Sequence, residues 1–114
     1  MPPGDVQNGE LGGLPKLLDL LSGAWTLDVL CVLHREGPTR FGELRRRLGA
    51  VSTKTLTERL RALEAAGIVS RHYEPTVPPQ VTYALTDKMA ELGPAIQEIR
   101  RVSDRWCEER AGGA

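Results

Sequence analysis

Between Phe41 and Leu85 the spacing of apolar residues changes at Gly67, and that switch limits the folds open to the chain. Before Gly67 the apolar side chains recur three and four residues apart; after it they alternate with polar ones. Phe41, Leu44 and Leu48 make one helical stripe closed by Gly49. Leu56, Leu60 and Leu63, at i, i+4 and i+7, make a second, with Ser52 ahead of it as a natural N-cap. Two helices joined by three or four residues that include a glycine predict a helix-turn-helix over residues 40–66. In IVSRHY (68–73) and QVTYALT (80–86) the period falls to two. The proline-rich EPTVPP between them predicts a hairpin with a stiff, projecting loop, with Arg71 and His72 near its base. A hairpin directly after a helix-turn-helix is a wing, here spanning 68–86.

Helices flank this unit on both sides. Leu14, Leu17, Leu18 and Leu21 repeat at helical spacing, with Pro15 suited to a first turn and Gly23 to a stop. AWTLDVLCVLHRE (24–36) carries apolar residues on several faces and predicts a helix buried on most sides, ended by Gly37-Pro38. Helical spacing returns through Leu92, Ile96, Ile99, Val102 and Trp106, where Pro94 should kink the helix or begin a second one. An apolar stripe at the end of a short chain either folds back on its own domain or meets another subunit, and Trp106 so near the end favours the second. We expect Leu14, Leu17, Leu92, Ile96, Ile99, Val102 and Trp106 to meet a second copy in a homodimer. The expected fold class is mainly α with a small β-hairpin: a winged helix-turn-helix with added N-terminal and C-terminal dimerisation helices, the latter over 87–109. It should form one domain over 13–110, behind a flexible tail at 1–12.

Composition removes whole classes of function. A chain of 114 residues supports one modest core. With 40% apolar and 26% charged residues it has no run near the ~20 needed to span a bilayer, so no membrane partner is expected. MPPGDVQNGE has no basic cluster followed by an apolar block, which makes cytoplasm the expected location. No H-E-x-x-H, G-x-S-x-G or P-loop is present, and the glycines of GELGG follow no strand. Two histidines and two dispersed cysteines assemble neither a nucleophile with its base nor a zinc set. An enzyme, a metal site and a cofactor are therefore not expected.

The net charge of zero hides an asymmetry. From Arg35 to His72 nine basic residues face four acidic ones, and the rest of the chain is correspondingly acidic. A local arginine excess of this kind fits a surface that meets a polyanion. On the second helix of the helix-turn-helix, Lys54, Thr57, Glu58 and Arg61 point away from the leucines, while Ser52 and Thr53 sit at the amino end. Ser52 and Thr53 suit a phosphate at the helix start, and Lys54 and Arg61 can donate to guanine or phosphate. Thr57 can touch a thymine methyl and Glu58 can accept from cytosine N4. Arg40, Arg45, Arg46 and Arg71 are expected as backbone anchors, whereas Arg59, beside the leucine face, should pack or pair with a neighbour. Glu58 has an ordinary alternative, an ion pair with Arg61 or Lys54. The whole unit also has one: a winged helix that docks a protein rather than DNA.

RFGELRR (40–46), STKTLTERLRALE (52–64) and PTVPPQVTYALT (75–86) together resemble the HxlR-type winged helix-turn-helix transcriptional regulators, related in architecture to the MarR type. The resemblance spans about residues 14–109. It implies a dimer, insertion of the fourth helix of each protomer into a major groove of double-stranded DNA, and wings on the flanking backbone or minor groove. Two such helices in a dimer are expected on a pseudo-palindromic operator, and for so small a protein repression by blocking polymerase is the commoner outcome, with activation the alternative.

The chain departs from that pattern in two places. Members that sense oxidants carry a cysteine near the amino end, about where Gly12 and Gly13 stand, and Gln80 occupies the place of a wing-loop arginine. Cys31, in the helix expected to be buried, is expected to act as a small hydrophobe. Any small-molecule effector should sit between that helix and the dimer helices, near Trp25, Cys31 and Trp106.

Overall fold

A computed structural model describes residues 11–112. Among the described residues five helices and three strands follow in the order α1 (Leu14–Leu21), α2 (Thr26–Glu36), β1 (Thr39–Arg40), α3 (Phe41–Leu48), α4 (Thr53–Ala65), β2 (Val69–Glu74), β3 (Gln80–Leu85) and α5 (Asp87–Gly112). The winged helix-turn-helix is therefore present as expected. Residues 1–10, most of the expected tail, lie outside the described residues.

The core forms where the stripes meet. Val29, Leu30, Val32 and Leu33 of α2, Leu44 of α3, Leu56, Leu60 and Leu63 of α4, Ile68, Val69, Tyr83 and Met89 are all buried in one cluster. Each fully buried leucine contributes about 1.5–3 kcal/mol, so the α4 stripe is a principal anchor of the fold. The N terminus of α4 is capped by Ser52. At its C terminus Gly67 takes φ 77°, the left-handed turn that glycine permits, and Lys88 Nζ donates to Ala66 O at 2.7 Å.

The sheet is antiparallel with order β1–β3–β2. In the hairpin Val69 pairs with Leu85, Arg71 with Tyr83 and Glu74 with Gln80; Thr39 and Arg40 add a short edge against Tyr83 and Thr82. The sequence reading missed β1, because two residues are too few to show a period. Arg71 and His72 consequently lie within the strand, three and two pairs below the first pair of the loop.

Three expectations need correction. The helix around Cys31 is buried along one side only: Leu27, Asp28, Cys31, His34 and Arg35 are exposed, so Cys31 is a surface thiol and not a core hydrophobe. Apolar residues on several faces predict a surrounded helix, but in the single chain the outer ones are uncovered. Of the two outcomes expected at Pro94, a kink or the start of a second helix, the second does not occur: the last element is one helix over Asp87–Gly112 with Pro94 inside it. The preceding turn is already anchored by Met89, which is buried, and by Lys88, which ties back to Ala66. Finally, the helix read from residue 24 begins at Thr26. Trp25 is its N-cap, at φ 69°, a left-handed conformation that costs a non-glycine residue roughly 1–2 kcal/mol.

Candidate nucleic-acid interface

The buried and exposed faces of α4 are cleanly divided. Leu56, Leu60 and Leu63 are at most 1% exposed, while Ser52, Thr53, Lys54, Glu58 and Arg61 are exposed and Thr57 is half-buried. Every residue expected to read DNA on this helix therefore stands on the side away from the core. Ser52 Oγ accepts from the backbone N–H of Thr55 at 3.1 Å and donates to Thr55 Oγ1 at 3.0 Å. The cap uses one of the helix's first N–H donors; the others still point outward at the positive end of the helix dipole. Among the described residues Lys54, Glu58 and Arg61 form no ion pair, so the expected alternative for Glu58 is not realised.

The arginines of α3 divide differently. Arg45 is exposed and forms no ion pair among the described residues. Arg46 instead grips Glu43 with two donors, Nη2 to Oε1 at 2.6 Å and Nε to Oε2 at 3.0 Å, and Arg47 Nε reaches the same carboxylate at 3.0 Å. Arg47 also approaches Glu36 at 3.4 Å. The hydrogen bond from Arg46, then that from Arg47, holds the Glu43 carboxyl below its ordinary pKa. Glu43 thus partly neutralises the cluster, a role missed in the sequence although its spacing to Arg46 and Arg47, three and four residues, was legible.

Arg40 is exposed at the junction of β1 and α3. Arg71 is exposed on β2, its guanidinium carbon 6.0 Å from the Tyr73 ring centroid, and on the adjoining loop Val77 is completely exposed. Thr76 Oγ1 donates to Pro78 O at 2.7 Å, which helps hold the loop's shape. Arg59 is half-buried, as its place beside the leucines predicted.

The expected dimer residues fall into two groups. Leu17, Leu92 and Ile96 pack partly against the chain's own core, whereas Leu14, Ile99 and Trp106 are exposed and Val102 is half-buried. Between α2 and α5 lies an open, largely apolar groove of about 930 Å³, lined by Leu27, Leu30, Cys31, Met89, Ile96 and Ile99 among others. Of the three residues expected around an effector, only Cys31 lines it. Trp25 packs against the core from the α1–α2 turn and Trp106 is exposed beyond the groove, so neither belongs to this site. Among the described residues no three side chains are grouped to hold a metal, and no single helix is long and apolar enough to cross a membrane.

Comparison with known proteins agrees with this architecture. The HxlR-like helix-turn-helix family matches residues 20–111. An uncharacterised HTH-type transcriptional regulator of Halalkalibacterium halodurans is 40% identical over 96 residues, covering 84% of this chain and 85% of that protein. The reduced form of the regulator YodB of Bacillus subtilis superimposes with a TM-score of 0.75 at 33% identity, over 95% of this chain and 96% of that one. YodB has also been solved after diamide treatment and with quinone bound. A MarR-family regulator of Enterococcus faecalis V583 gives a TM-score of 0.76 at 28% identity, over 97% and 94% of the two chains. The chain therefore belongs to the HxlR-like helix-turn-helix family, whose members are DNA-binding transcriptional regulators.

Proposed function

We propose that the protein acts as a homodimeric repressor, in the cytoplasm, that reads a pseudo-palindromic operator with α4 of each protomer in the major groove. The observation that carries this reading is the division of α4: leucines wholly buried on one side, and Ser52, Thr53, Lys54, Thr57, Glu58 and Arg61 on the other. Lys54 and Arg61 donate to bases or phosphates, Thr57 and Glu58 contact base edges, and Ser52 and Thr53 place a phosphate at the helix start. Arg40, Arg45, Arg46 and Arg71 hold the backbone, and the wing meets the flanking duplex. Two such helices related by a two-fold axis stand about 34 Å, one DNA turn, or a multiple apart.

Support for the dimer comes from apolar side chains left uncovered in the single chain. Ile99, Trp106, Leu14 and Leu18 are exposed on α5 and α1. A domain over residues 13–110 that buries Leu14, Leu17, Leu92, Ile96, Ile99, Val102 and Trp106 against a second copy accounts for them. A small-molecule effector fits the groove beside Cys31, a reading supported by the quinone-bound structure of YodB.

The test is selection from a random duplex pool followed by titration of the best-bound sequence against salt. Log affinity should fall with log salt by about 0.9 per phosphate neutralised. A winged helix that docks a protein through apolar contacts would select no duplex and respond little to salt.

A further inference from the structure

Three unusual features meet at the turn between α1 and α2. Trp25 has a positive φ, which no other described non-glycine residue does. Gly23 is closely covered: a Cβ there would lie 2.9 Å from Arg59 Nη1 and 3.0 Å from Thr26 Oγ1, so a side chain fits only if the Arg59 head shifts, whereas most other described glycines face open space. The side chain that fills this space comes from α4. Arg59 Nε is buried without a hydrogen-bond partner, and it is the one such side-chain atom found among the described residues. An unpaired buried donor is unfavourable for stability, and backbone strain persists only where the surroundings enforce it. Two of the features describe one contact, a guanidinium seated over Gly23, and the third lies beside it, two residues along the same turn.

The location of that contact suggests its use. At 3.6 residues per turn, Arg59 projects roughly 60° to one side of Leu56, while the base-reading face lies on the far side of α4. Leu56, Leu60 and Leu63 bury one side of the helix, and Thr55, Thr57, Ala62 and Ala66 beside them are half-buried, so the roll of the helix about its own axis is set by its flanking contacts. Arg59 bears on the α1–α2 turn from the flank, where it resists such a roll. With a helix radius near 5–6 Å, a roll of about 10° moves the tips of Lys54 and Arg61 by about 1 Å, beyond the ~0.5 Å that a functional site tolerates.

We propose that Arg59 is a positioning residue for DNA reading: by seating on Gly23 it fixes the roll of α4, so that discrimination between sequences depends on it while general attraction to DNA does not. The proposal rests on the DNA-binding reading above. It makes stability and specificity respond in opposite directions, which a merely structural arginine would not do.

The experiment compares full-length wild type with Arg59→Met, Arg59→Lys and Gly23→Ala. Circular dichroism and thermal melting report the fold. Binding is measured to the best duplex selected by wild type from a random pool and to poly(dI-dC). Arg59→Met removes the unpaired donor and should melt at or above the wild-type temperature. It should nevertheless lose about tenfold in preference for the selected duplex, the size of one mismatched base pair. Its affinity for poly(dI-dC) and its salt slope should be unchanged, and Arg59→Lys should lose less. Gly23→Ala leaves Arg59 in the chain but displaces its head, and should reproduce the loss of preference; it decides the matter if Arg59→Met does not fold. Unchanged preference in these variants overturns the proposal. So does an equal loss on both DNAs with a slope shallower by about 0.9, which would make Arg59 a direct phosphate contact. Wild type that selects no duplex would instead defeat the DNA reading itself, and the role of Arg59 with it.

Discussion

Ser52 Oγ lies 3.1 Å from the backbone nitrogen of Thr55 and accepts a hydrogen bond from its N–H, so the first turn of α4 is capped by a side chain that also faces outward. The same hydroxyl serves stability and stands where a phosphate would approach, and two substitutions separate those roles. Ser52→Ala should cost about 1 kcal/mol of stability. In a domain of this size that lowers the melting temperature by roughly 4–8 °C. Ser52→Asp retains a good cap and should melt near wild type, yet bind DNA more weakly because its carboxylate repels the phosphate. Equal DNA affinity for the Asp variant would remove Ser52 from the interface.

Glu43 holds Arg46 and Arg47 at once, and this should restrain DNA affinity at neutral pH. A phosphate that takes Arg46 must first displace a carboxylate. Glu43→Gln should therefore raise affinity about equally for all duplexes and steepen the salt slope by up to about 0.9, measured by fluorescence anisotropy. An unaltered slope would show that Arg46 does not reach the backbone. The acid side follows from the lowered pKa of Glu43. Its contribution to stability is present above the ordinary value of 4.5 and is lost as pH falls through the lower folded value, so the Gln variant should show a flatter acid limb below about pH 4.5. Both partners are well exposed, so the effect should be small.

The outline of the fold was legible because its signals are local. Leu56, Leu60 and Leu63, Ser52 before them and Gly67 after them state the limits of α4 within sixteen residues, and all of those positions perform their expected tasks. What was missed depends on distant neighbours. The two residues of β1 become a strand only because Tyr83 and Thr82 lie beside them. Pro94 begins no second helix, because the turn before it is held by Met89 and Lys88, and the exposure of Cys31 depends on which side of α2 the rest of the chain covers. The sequence placed Arg59 beside the leucines, but its seat on Gly23, thirty-six residues earlier, has no periodic signature.

Ile99 is 60% exposed on α5, and an aspartate in its place should leave the single chain folded. In the proposed dimer the same aspartate would bury an unpaired charge, which association cannot offset. Wild type should sediment as a dimer and Ile99→Asp as a monomer with unchanged helical content. The variant should also lose most of its operator affinity, because one protomer contacts only one half-site. A dimer of normal strength would mean that Ile99 lies outside the interface.

Arg61 provides the sharpest test of which residues read sequence. It shares the exposed face of α4 with Lys54, two turns earlier, and makes no ion pair among the described residues even with Glu58, three positions before it. Unlike Arg46, it does not have to be released from a carboxylate before it can reach DNA. If its guanidinium donates to guanine O6 and N7, Arg61→Ala should cost about 1–3 kcal/mol on the selected operator and little elsewhere. The loss should vanish when the contacted base pair is replaced, since the alanine variant no longer distinguishes it. Arg61→Lys keeps the charge but not the two-pronged geometry, and should recover affinity more than specificity. A loss of equal size on every duplex would place Arg61 on the phosphate backbone and leave base reading to Lys54, Thr57 and Glu58.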